Sequence, residues 1–142
     1  MLVFDPAGRV LLIRCEVVRR DGKLFVFWLT PGGEIEPGEE PNDAARRELA
    51  EELGLEVEVS GPVYMEQNQF EHMGEMRSNT DFYFVARCAA EAPQMQGVTA
   101  DEIALMQEIR WWTAEEVEAA FGRRENVFPV DLARRVREFG AS

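Results

Sequence analysis

The sequence predicts an α/β sandwich, a twisted mixed β-sheet held between helical layers (α/β/α). Three observations predict it. Short apolar runs with strand alternation fill the first thirty residues and return after Leu55; a helix-period stretch from Pro41 to Leu53 interrupts them after the third run; two further helical patterns close the chain. With 142 residues, 46% of them hydrophobic, the chain can bury one such core and has no room for a second, so residues 1–142 read as a single domain.

In order, Leu2 to Phe4 and Val10 to Val18 read as strands around an Asp5-Pro6-Ala7-Gly8 turn. Asp21-Gly22 is the next turn. Leu24 to Leu29, rich in aromatic and β-branched residues, is a third strand that runs straight into Thr30-Pro31-Gly32-Gly33. A helix follows from about Pro41, where a missing N–H costs nothing, to Leu53, where Gly54 stops it. Leu55 to Ser60, Val63 to Phe70 and Asp81 to Ala89 alternate as strands, with a loop at Gly74, and a further strand occupies about Glu108 to Trp112. Helical spacing returns at Ala114 to Phe121 and Val130 to Phe139, the latter packing across the end of the sheet. There is no repeat, linker or low-complexity tract.

Composition narrows the function. The net charge is −12, from 27 acids against 15 bases, a surface that repels polyphosphate backbones and argues against stable nucleic-acid binding. A phosphate-handling site must then be locally reversed in sign, by metals and by a few arginines, for which Arg14, Arg19, Arg20 and Arg77 are the candidates. Cys15 and Cys88 are isolated, without CxxC spacing, and His72 is the one histidine, so zinc and Cys-His catalysis are poorly supported. No basic segment leads into a long apolar run, which makes the cytoplasm the default location and leaves no role for a membrane.

The chemistry concentrates between Gly33 and Leu55. At 100° per residue, Glu51, Glu48 and Glu52 fall within an arc of about 100° on the 41–53 helix, beside a stripe of Ala45, Leu49 and Leu53. Like charges three and four residues apart destabilise a helix by roughly 0.2–0.5 kcal/mol per pair, so three on one arc need a neutralising partner. Oxygen-only donors suit Mg²⁺ or Mn²⁺. Gly32 and Gly33 let a backbone carbonyl approach such an ion without a Cβ in the way. Arg47 points away from the centre of the arc, yet its fork can clamp Glu39 or Glu48 bidentately.

The spacing Gly33-x5-Glu39-x7-Arg47-Glu48-Leu49-x-Glu51-Glu52-x-Gly54-Leu55 resembles the full signature of the Nudix hydrolases at every fixed position. The resemblance implies the Nudix fold and a divalent-metal-dependent hydrolase that cleaves the pyrophosphate linkage of a nucleoside diphosphate derivative. By the family's matching positions it implies Glu48, Glu51, Glu52 and the Gly32 carbonyl as the metal shell, Arg47 as the residue orienting the glutamates, and Gly33, Glu39 and Gly54 as the frame of the motif. It also implies a further acid before the final strand, for which Glu102 stands in place and Asp101 and Glu108 are substitutes. One departure is the first strand, only Leu2 to Phe4 long, which implies a shortened sheet edge or a start farther upstream.

Substrate identity stays open at this level. Trp28, Phe70, Phe82 and Tyr83 could stack a base, and Arg14, Trp28, Arg77 and Phe82 are the candidate substrate contacts. The expected partner is a small nucleoside diphosphate derivative, of nucleotide or nucleotide-sugar type, with a homodimer left open. The alternative is a catalytically weak, Nudix-like nucleotide-binding or regulatory module, which would be expected to have lost one of the glutamates. This chain has lost none.

Overall fold

The structure, a computed structural model, describes residues 1–32, 35–72, 74–95 and 104–140, without the side chains of 68, 70–72, 77, 79 and 104–107. Among the described residues ten elements follow one another: β1 (Leu2–Phe4), β2 (Val10–Val18), β3 (Leu24–Leu29), α1 (Pro41–Leu53), β4 (Val59–His72), β5 (Glu75–Arg87), β6 (Ala104–Trp112), α2 (Ala114–Gly122), β7 (Val127–Phe128) and α3 (Leu132–Gly140). The strands form one mixed sheet in the order β4-β5-β1-β2-β3-β7, with β6 also paired to β2. β1 runs parallel to β5 and meets β2 only at Phe4↔Val10; β3 follows it on that side of β2 from Ile13↔Leu29, while β6 pairs along the other side from Val10↔Trp112.

Strand alternation sorts the core into two clusters, one on each face of the sheet. Met1, Val3, Leu11, Ile13, Cys15, Phe84 and Ala86 meet Ala45, Leu49 and Leu53 of α1 on one face. Leu2, Phe4, Val10, Leu12, Tyr83 and Val85 meet α2 and α3 through Val117, Ala120, Leu132 and Val136 on the other. A buried leucine stabilises by roughly 2 kcal/mol, and both faces need a helical cover, hence the three layers. This is the predicted α/β class. Among the described residues no helix is long and apolar enough to cross a membrane.

Several boundaries differ from the sequence reading. The two runs predicted at 55–60 and 63–70 form one strand, β4, starting at Val59, while Leu55 leaves the sheet to pack beneath α1. A register shift between Ser60 and Tyr64 absorbs the break. Gly61 sits there at φ 133°, with a would-be Cβ 2.8 Å from the backbone nitrogen of Val63, so no side chain fits. β5 begins at Glu75 instead of Asp81, because pairing with β4 carries the polar stretch 75–80 into a hairpin that turns at Gly74. β6 likewise begins at Ala104, four residues earlier than expected, and α3 begins at Leu132, two later. The two-residue β7, parallel to β3, was not predicted at all.

Candidate active site

α1 carries the acids next to its buried stripe, so packing Leu49 and Leu53 against the sheet draws Glu48 and Glu52 inward. Glu52 is buried, and its Oε2 accepts a hydrogen bond from the Gly32 amide at 3.3 Å. Glu48 keeps 13% of its side chain exposed and Glu51 58%. Arg47 gathers the rest of the motif. Its Nε and Nη2 grip the two carboxylate oxygens of Glu39 at 2.8 and 3.0 Å, a bidentate clamp. Its Nη1 stands 3.1 Å from Glu48 Oε1, 3.1 Å from Glu51 Oε2 and 3.7 Å from Glu36 Oε1. Glu39 in turn accepts from the Glu36 amide at 3.1 Å, which pins the loop ahead of the helix. The helix then ends on Gly54 at φ 65°, whose amide returns to Ala50.

The electrostatics follow from that placement. Burial pushes the Glu52 carboxyl up to about 7, and the neighbouring charge of Glu48 adds to the effect. Burial also raises Glu48, against the opposing pull of Arg47. Hydrogen bonds from Arg47 hold Glu39 below the usual carboxylate range.

Beside these acids lies a cleft of about 510 Å³ between the end of β3, the loop to Gly32, the first half of α1 and residues 80–84 of β5. Leu29, Ile35, Ala44 and Phe82 are its apolar walls, and Thr30, Gly32, Glu48, Thr80 and Asp81 its polar ones. Of the expected substrate contacts, Phe82 lines this cleft. Arg14 and Trp28 do not line it. Alternation along β2 and β3 places both on the sheet face opposite α1, where Arg14 pairs with Glu16 at 2.7 Å and Trp28 packs edge-on to Trp112 at 5.2 Å. Glu108 stands opposite Arg14, 4.0 Å from it, and shares that face. The Tyr83 ring stacks on Tyr64 at 4.4 Å. Gly33, Asp101 and Glu102 lie outside the described residues, as do the side chains of Phe70 and Arg77. Sequence reasoning missed Glu36 in the arginine cluster and Leu29 and Ile35 in the cleft; an acid three residues ahead of Glu39 was the available signal for the first.

The donor set suits a hard divalent cation. Glu48 raises the proton affinity of Glu52, and Glu51 that of both, at a partly buried place, a repulsion that a cation between carboxylates relieves. Among the described residues, however, no three acid, histidine or cysteine side chains converge on one point, since Glu48 and Glu51 are both engaged by Arg47.

Comparison with known proteins agrees with this architecture. A family model described as NUDIX domain matches residues 1–130. An RNA pyrophosphohydrolase of Bartonella henselae is 46% identical over 57 residues, 39% of this chain and 33% of that protein. An RNA pyrophosphohydrolase of Novosphingobium aromaticivorans is 28% identical over 130 residues, 82% of this chain and 76% of that one. The chain thus spans a third of the first relative and about three quarters of the second. The E. coli dihydroneopterin triphosphate pyrophosphohydrolase superposes with a TM-score of 0.60 at 19% identity, covering 99% of this chain and 92% of that one, a likeness of fold.

Proposed function

The chain belongs to the Nudix hydrolases, and on that premise we propose that it cleaves the pyrophosphate linkage of a nucleoside diphosphate derivative with the aid of Mg²⁺ or Mn²⁺. The observation that carries this reading is Glu48 on the cleft wall with Glu52 buried behind it, held to the Gly32 amide of the same wall and raised in proton affinity by the Glu48 charge. Glu48, Glu51, Glu52 and the Gly32 carbonyl would hold the ion, which when bound shields anionic phosphate oxygens and lowers the pKa of water. Arg47, through Glu39, holds the loop and the helix in one geometry, so the acids meet the substrate preorganised. Leu29, Ile35 and Phe82 take the uncharged part of the substrate and exclude water from the phosphate. Glu102 is the proposed further acid that accepts a proton from the attacking water.

A net charge of −12 favours a small nucleotide over a long polyanion, and we place the enzyme in the cytoplasm. A panel of nucleotide diphosphate derivatives, assayed for product release with Mg²⁺ and Mn²⁺, tests the reading. Excess chelator should abolish turnover, and reaction in ¹⁸O-labelled water should place label on a phosphate product. Hydrolysis that persists in chelator would sink the metal-dependent mechanism, and label found only on an alcohol or carboxylate would sink pyrophosphate cleavage.

A further inference from the structure

β3 continues outward from the cleft as an aromatic track. Phe25, Phe27 and Leu29 alternate onto one face; Phe27 and Leu29 pack on the α1 side, and Leu29 is a wall of the cleft itself. The rings of Phe25 and Phe27 stack at 5.4 Å and 25°, and Phe128 meets Phe27 edge-on at 6.3 Å with 42% of its surface exposed. None of the six residues of β3 is fully buried, although all are apolar. At its far end the Arg19 guanidinium lies 3.9 Å above the Phe25 ring.

The charge of that end is opposite to the rest of the chain. Arg19, Arg20 and Lys23 are exposed at the β2–β3 turn against the single Asp21, and none of the three has a carboxylate paired to its side chain among the described residues. Elsewhere the described arginines of α1, α3 and β2 are ion-paired. Unpaired cations beside stacked, half-exposed rings are the chemistry that holds a single strand, with phosphates on the cations and bases on the rings. From Leu29 to Phe25 the track spans about 13 Å, room for about two or three nucleotides.

We infer that this track receives the first nucleotides of a short single-stranded oligonucleotide whose 5′ polyphosphate occupies the cleft. The inference rests on the pyrophosphohydrolase reading above and deepens its substrate class. It is compatible with the acidic surface, because only the β2–β3 turn touches the strand beyond the cleft.

The test compares kcat/KM for 5′-triphosphorylated ribonucleotides of one, two, three and six residues with Mg²⁺. A separate arm follows fluorescence anisotropy of a 3′-labelled triphosphorylated hexanucleotide in chelator, where binding is read without turnover. We expect kcat/KM to rise at least tenfold from one to three residues and hexanucleotide affinity to fall with added salt. Phe25→Leu, and separately the triple change Arg19→Ala, Arg20→Ala, Lys23→Ala, should lower kcat/KM for the hexanucleotide about tenfold more than for the mononucleotide. Phe25→Tyr should restore it. Length-independent kcat/KM on an active enzyme overturns the track and leaves the pyrophosphohydrolase reading standing; so does a dimer that Phe25→Leu dissociates without changing the length dependence, which assigns the face to a second copy. If no triphosphate is hydrolysed at any length, the panel of nucleotide diphosphate derivatives decides the catalytic reading, and anisotropy decides the track: weaker binding by the variants supports it, equal binding overturns it.

Discussion

Burial makes Glu52 a proton-binding group whenever no cation is present. Its carboxyl lies at about 7 in the folded chain against an ordinary 4.5, so the native state holds a proton that the unfolded state has released. The stabilisation is therefore complete below pH 4.5 and is lost as pH rises through about 7, a span worth roughly 3 kcal/mol at about 1.4 kcal/mol per unit. We expect the metal-free melting temperature of wild type, minus that of Glu52→Gln, to fall between pH 5 and 7.5; a difference that grows with pH would contradict the burial argument. In activity the same variant, and Glu51→Gln, should lose about 10²-fold or more in kcat, by analogy with the loss of comparable electrostatic groups. Full turnover by either would remove it from the metal shell. Arg47→Lys should also be costly, since a single ammonium cannot reproduce the two-point grip on Glu39. These positions were readable because helix periodicity and loop spacing are local properties of the chain. That Arg14 and Trp28 face away from the cleft was not readable, for a reason of equal simplicity. Alternation separates the two faces of a strand, but only the packing of Leu49 and Leu53 decides which face meets α1.

Elements differ in how strongly local chemistry declares them. α1 and α2 have marked ends: Pro41 opens the first and Gly54 closes it, while Thr113 and Glu116 form a reciprocal capping box on the second, with bonds of 3.1 and 3.0 Å. Two glycine substitutions separate conformational strain from steric strain. Gly54→Ala forces a Cβ into the left-handed region at φ 65°, for about 1–2 kcal/mol and a melting temperature lower by roughly 5 °C. Gly61→Ala combines φ 133° with a contact 2.8 Å from the Val63 backbone, where nothing can rotate away, so thermal melts should show the larger loss. Equal or reversed losses would mean that the Ser60–Tyr64 irregularity relaxes freely. The elements that escaped the sequence reading are those held by partners instead of by their own residues. β7 is two residues long and exists because Trp28 and Leu29 pair with Val127 and Phe128. The polar first half of β5 has no alternation to read and is a strand because β4 pairs with it residue by residue from Glu75 to Asp81.

Across the whole molecule the charge distribution makes opposite demands at short and long range. A chain at −12 repels an incoming nucleotide over the full Debye length, which shrinks from about 30 Å at 0.01 M salt to about 8 Å at 0.15 M. Inside the cleft screening is weaker, because Leu29, Ile35 and Phe82 wall part of it and Arg47 stands 3.1 Å from Glu48. At fixed free Mg²⁺, kcat/KM for a mononucleotide substrate should therefore rise as ionic strength increases over this range, the gain lying in association and not in kcat. A substrate long enough to reach Arg19, Arg20 and Lys23 should show the reverse, since salt weakens its attraction to the β2–β3 turn more than it relieves repulsion from the distant acids. Initial rates for the two substrate lengths across one salt series decide the matter. Parallel slopes would mean that the net charge acts as a uniform field and that the basic turn has no separate influence; crossing slopes would mean that the sheet edge beside the cleft carries a sign of its own.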